Sequence, residues 1–208
     1  MFLKRIPYIL LAIGAVAIGV YPSVYFLIDQ QFGLLNSKTD ALLSDAFWNG
    51  MFYTHITLGG LALLVGWVQF SKKIQRTRIQ LHRSLGKVYM ISVFFSGIAS
   101  LYIGYHATGG LSSQLGFIGL GFTWLFTTLI GYTSIRRKDI IAHQKMMIYS
   151  YAACFAAVTL RIWLPLLSFA LEGFLPAYRI VAWLCWIPNM LVAYLIIQKQ
   201  FKPVISSN

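Results

Sequence analysis

Acidic side chains are scarce in this sequence, with five Asp and Glu against 17 Lys and Arg in 208 residues. Charge of either sign is thin as well: 11% of residues are charged, 58% are hydrophobic, and the mean hydropathy is +0.70. Too little polar surface exists to cover a water-soluble globule, so lipid must be the solvent for most of the chain. The sequence holds no Walker-type phosphate loop, no GxSxG, no HExxH and no pair of intramembrane acids, which removes the usual basis for ATP-driven or hydrolytic chemistry. The two cysteines, Cys154 and Cys185, sit inside apolar segments without a CxxC pair, so neither a zinc site nor a disulfide framework is supported. They are expected to pack as small hydrophobes. Lys4 and Arg5 precede an apolar stretch, yet no small-x-small cleavage site follows before Tyr21 and Pro22, so that stretch reads as an uncleaved first helix.

What is present is a series of long apolar runs. A helix crossing the hydrocarbon core needs about 20 apolar residues. Six windows qualify, namely Ile6 to Leu27, Phe47 to Phe70, Ser84 to Tyr105, Leu115 to Ile135, Met146 to Phe169 and Ile180 to Ile197. The expected fold class is therefore all-α, a single integral membrane bundle of about six transmembrane helices. The net charge of +12 is concentrated in alternate connections: Lys4 and Arg5, then Lys72 to Lys87, then Arg136 to Lys145, then Lys199 and Lys202. Asp29, Asp40, Asp45 and Glu172 fall in the opposite set. By the positive-inside rule both ends face the cytoplasm. Basic residues in this pattern meet anionic lipid headgroups and not nucleic acid.

Polar residues inside the spans are the most informative feature, because each is costly in lipid. In the fifth span His143, Met147, Ser150, Cys154 and Arg161 project onto one face at 100° per residue. In the second span His55, Gly59, Ala62, Gly66 and Gln69 share a face of small residues, which suits either a close-packed neighbouring helix or a planar ligand such as a porphyrin or quinone. The stripe Gly116, Thr123, Thr127 and Ser134 in the fourth span reads as packing, its hydroxyls bonding back to their own helix. Arg161 has two readings, a side chain snorkelling to the outer headgroups or an internal partner, with Glu172 and Asn189 as candidates. Pro188 removes a backbone donor next to Asn189 and marks a kink or binding spot.

His82 and His143 each follow a basic loop at the membrane boundary, on two different helices at similar depth. That layout suits a bis-His haem b with Arg83, Lys87 or Lys145 for the propionates and Gly59 and Gly86 giving close approach. It equally suits two interfacial histidines near lipid phosphates.

Taken together, His55-Ile56-Thr57-Leu58-Gly59, Leu81-His82-Arg83 with Gly86 and Tyr89, His143 with Met147, Ser150 and Tyr151, Ala156 to Arg161, and Trp186 with Pro188 and Asn189 resemble the bacterial membrane family catalogued as domain of unknown function 2306. Gln144-Lys145-Met146 departs from that pattern, where an Arg and a Trp are expected. The resemblance implies a six-helix membrane fold and supplies no activity. A looser likeness to cytochrome b561-type bundles rests on the histidine layout alone.

The expectation is an accessory or binding component of the bacterial cytoplasmic membrane that catalyses no reaction itself. Its polar core is His55, Ser150, Tyr151, Arg161 and Asn189, and its partners are lipids, other membrane proteins or further copies of the chain. The alternatives are a haem b electron carrier linked to quinone, with His82 and His143 on the iron, and a proton or small-solute carrier centred on His55 and Arg161.

Overall fold

A computed structural model describes residues 6–27 and 33–201. Lys4, Arg5, Asp29 and Lys202 lie outside the described residues. Within them the chain is all-helical, with six helices long and apolar enough to cross a membrane: Tyr8–Leu27, Ala46–Phe70, Ile79–Tyr105, Leu111–Arg136, Ile140–Ala170 and Phe174–Gln200. The third to sixth begin four to six residues earlier than hydropathy alone places them. Exposed side chains such as Arg83 and Lys87 are long enough to extend to headgroups while their backbone stays in the helical ladder.

Packing follows the logic of a lipid solvent. Large apolar side chains point outward, including Leu10, Ile13, Phe94, Phe95, Phe126, Leu166 and Phe169, which is 90% exposed. Small and hydroxylated residues turn inward: Ser92, Ser96, Ser100, Thr127, Thr128 and Ser150 are all buried. This reverses the soluble arrangement, because helices in lipid gain stability from close approach and not from hiding apolar surface. At Gly66 an added Cβ would run into the rings of Tyr151 and Tyr89. At Gly60 it would stand 2.6 Å from the Gly19 carbonyl of the first span. The hydroxyls of the fourth span do bond back, Thr127 Oγ1 to the Thr123 carbonyl at 2.7 Å.

Two of the scarce acids cap span starts. Asp45 accepts from the Phe47 amide and Asp139 from the Ala142 amide, both at 2.9 Å, satisfying donors that a helix N-terminus leaves free.

The fifth and sixth spans are each interrupted near mid-length. The fifth consists of Ile140–Cys154 and Ala156–Ala170, the sixth of Phe174–Leu184 and Ile187–Gln200. The single continuous face projected from His143 to Arg161 is therefore corrected to two segments meeting at Phe155. The break in the sixth follows from Pro188, which lacks an amide donor. At the break in the fifth, the Asn189 amide reaches the Ala152 carbonyl at 3.3 Å, a side-chain insertion of the kind that interrupts a ladder. Asn189 also donates to the Cys185 carbonyl at 3.0 Å and to Thr159 Oγ1 at 3.2 Å, and Thr159 Oγ1 donates to the Cys185 carbonyl at 2.5 Å. The side chains of two spans thus satisfy carbonyls freed at the breaks, as mid-membrane irregular backbone requires. Both cysteines are buried free thiols.

Candidate functional site

The candidate site residues, Asn189 at the span breaks aside, lie in three separate places along the bundle. The outer place is a cavity of about 200 Å³ at the end of the bundle that carries residues 33–45. All six spans reach its wall, the sixth through Tyr178, and the wall holds His55, Arg161, Lys38 and Trp48 among mostly apolar neighbours, with Leu63, Trp124 and Cys154 toward its deep end.

Arg161 is partly buried, and its partners are the Ala157 carbonyl, which accepts from Nη1 at 3.0 Å, and the face of Tyr21, 4.5 Å from the guanidinium carbon. Neither internal partner expected for it is present. Asn189 is committed to the span breaks, and no described carboxylate, Glu172 included, pairs with the guanidinium. A cation–π contact compensates a desolvated guanidinium only in part. An Arg has five donors, and one of them, on Nη1, is taken up by a described carbonyl.

His55 is held by the third span. Its Nδ1 lies 3.1 Å from both the Ser96 carbonyl and Ser96 Oγ, and Ser96 Oγ donates to the His55 carbonyl at 2.9 Å. The tautomer that donates from Nδ1 to the Ser96 carbonyl leaves Nε2 as an acceptor. Gly59, one turn deeper on the same helix, lines the cavity with Ser96 Oγ against it.

Two wall residues were not singled out in the sequence. Trp48 is 1% exposed and stacks on Phe52 with ring centroids 5.2 Å apart, and its buried indole N–H meets no acceptor among the described residues. Such an orphaned donor costs about 1–3 kcal/mol unless something fills the role. Lys38 comes from the connection after the first span. It donates to the His106 carbonyl at 2.5 Å, while Ser37 Oγ and Thr108 Oγ1 meet at 3.1 Å. These bonds fold residues 33–38 over the cavity mouth. Burial pushes the Lys38 ammonium down to about 8. The sequence signals these two residues only as an interfacial aromatic and a loop cation.

Below the cavity the bundle is filled. Tyr89 and Ser150 meet at 2.8 Å and Ser150 and Thr128 at 2.6 Å. Trp124 Nε1 donates to the Tyr89 oxygen at 3.3 Å and the Tyr151 hydroxyl to the Leu63 carbonyl at 3.2 Å. Ser150 and Tyr151 therefore serve an uncharged network in the packed core, to which the fourth span contributes Thr128 and Trp124. The second-span face at Gly66 is covered by Tyr151, so a neighbouring helix and not a flat ligand accounts for it.

The third place is the basic end. His143 Nδ1 lies 2.8 Å from the Gly131 carbonyl, the contact that orients a metal-bound imidazole and equally satisfies an ordinary one. Gln69, in the amide orientation that gives both its ends partners, donates to His82 Nδ1 at 2.6 Å and accepts from the Gly86 amide at 3.2 Å. That bond puts the His82 proton on Nε2, the nitrogen an axial ligand needs free, so haem ligation here requires it to break. Arg83 and Lys87 are exposed, and the Lys145 ammonium stands 5.5 Å over the Phe201 ring. Among the described residues no group of three His, Cys, Asp or Glu could hold a metal ion.

No curated protein and no solved structure matches the chain. Residues 52–197 match the family described as "Predicted membrane protein (DUF2306)", a range running from the second span almost to the end of the sixth and taking in His55, His82, His143, Arg161 and Asn189. Given that match and six membrane-length helices, the chain is a member of the DUF2306 family of predicted membrane proteins.

Proposed function

We propose that the protein is a non-catalytic binding component of the bacterial cytoplasmic membrane, taking a small ligand into the outer cavity between His55 and Arg161. One observation carries this reading: a part-buried guanidinium with no described counter-ion stands in the wall of a cavity about 200 Å³ in size. An intramembrane Arg is expensive unless it has a partner or a function. Where no carboxylate supplies the partner, the cavity's occupant does.

The alternatives draw less support. A carrier needs a route past the cavity, and Tyr89, Tyr151 and Trp124 fill the bundle beneath it. An electron carrier needs His82 released from Gln69. The charge pattern that puts both ends in the cytoplasm supports the inner-membrane placement.

Purification of the full chain in a neutral detergent, followed by extraction and quantification of what accompanies it, tests the proposal. A small molecule near one equivalent, depleted in Arg161→Gln, is expected. Equal or absent loading in both proteins overturns the reading.

A further inference from the structure

Resting on that reading, we infer that the outer cavity takes an anionic amphiphile: one compact oxyanion bound by Arg161 and Lys38, carrying an apolar tail that runs toward Leu63 and Trp124. The wall decides the charge. Arg161 brings a fixed positive charge, and Lys38 brings an ammonium with three donors, one of which serves the His106 carbonyl. Among the described residues no carboxylate lines the cavity, and Asp45 and Asp139 are committed to helix caps elsewhere. Two cationic donor groups without a matching acid fit a group that only accepts, as an ionised carboxylate or phosphate does.

The rest of the wall decides the tail. Apart from these groups, His55 and Ser100, it is mostly aliphatic and aromatic, with Ile18, Phe52, Leu63 and Trp124 among its members. A free inorganic anion would leave that surface wetted, whereas a chain entering from the bilayer covers it at a gain of about 25 cal/mol per Å².

Two sources share this chemistry, a free fatty carboxylate and the phosphate of an anionic bilayer lipid. The experiment uses the full chain in nanodiscs of neutral lipid and measures binding of dodecanoate, dodecanol, inorganic phosphate and phosphatidylglycerol. Dodecanoate is expected to bind at least about tenfold more tightly than dodecanol or phosphate, since each charge-assisted bond contributes on that scale. Arg161→Gln removes most of that preference, and Arg161→Lys restores part of it. Lys38→Gln deletes the second charge, so it weakens dodecanoate severalfold without weakening dodecanol. If Arg161→Gln does not fold, Lys38→Gln carries the comparison. Phosphatidylglycerol binding that outcompetes dodecanoate supports the anion site and assigns the lipid as its source. Equal binding of dodecanoate and dodecanol overturns the anionic assignment while the binding reading stands. Absence of binding by every probe overturns both.

Discussion

The side-chain amide of Asn189 lies 3.3 Å from the Ala152 carbonyl oxygen and so ties the interruption of the sixth span to that of the fifth. Because Asn189 and Thr159 both serve the Cys185 carbonyl, the two breaks act as one unit. Asn189→Leu should lower stability by about 1–2 kcal/mol, given about 0.6 kcal/mol for an average interhelical bond in lipid and about 1.7 at most. Combining it with Thr159→Val should cost less than the sum of the single changes, because the variants lose shared bonds. Unfolding in mixed micelles, run as a double-mutant cycle, measures this, and strict additivity contradicts it.

Ser150 sits between Tyr89 and Thr128, which both lose a partner if it goes. Ser150→Ala should destabilise by about 1–3 kcal/mol. Tyr89→Phe also strands Trp124 Nε1 and should cost a comparable amount. Both variants should keep dodecanoate affinity within about twofold, since the network lies beneath the cavity.

Gly66 and Gly50 stand on the same helix in opposite situations. A Cβ at Gly66 enters the rigid rings of Tyr151 and Tyr89, whereas one at Gly50 meets nothing within 4 Å. Gly66→Ala should lose about 1–3 kcal/mol through overpacking. Gly50→Ala should gain about 0.5–1 kcal/mol by restricting the unfolded chain. Opposite shifts in melting temperature are the expected reading.

Lys38 gives a pH dependence of defined sign. Burial lowers its ammonium from the ordinary 10.5 to about 8, so between these values the unfolded chain holds a proton that the folded chain has shed. Stability then rises with pH across that window. Anion binding at the cavity mouth falls as pH rises through the folded value of about 8, where the ammonium loses its charge, while Arg161 stays charged. Lys38→Met should flatten both curves. A dodecanoate affinity in the wild-type chain that is constant from pH 7 to 9 contradicts this.

An absorption spectrum of protein from haem-replete cells checks the basic end. No Soret band is expected while Gln69 occupies His82, and Gln69→Leu frees that ring without touching the cavity. A Soret band lost in both His82→Ala and His143→Ala would transfer the function to electron transfer.

The spans were legible because lipid imposes one requirement, about 20 apolar residues in succession, that few other constraints disturb. Arg161 and His55 stood out for the complementary reason, since a charge or imidazole inside such a run is costly and conspicuous. Trp48 looked like an interfacial anchor and Lys38 like an ordinary loop cation, because their roles depend on a connection folding back over the bundle. The break at Phe155 has no proline or glycine beside it, and it is understood only through Asn189, more than 30 residues later in the chain.

Composition and charge order alone therefore determined a six-helix membrane protein with its basic loops on one side, since solvation by lipid and headgroups acts on each segment independently. Only tertiary structure decided which polar residues meet. It separated the boundary histidines from Arg161 and His55, sent Ser150 and Tyr151 into a packed network, and brought Lys38 and Trp48 to the cavity. Those pairings depend on how helices rotate and approach one another, which small-residue contacts such as Gly66 against Tyr151 set and no single span encodes.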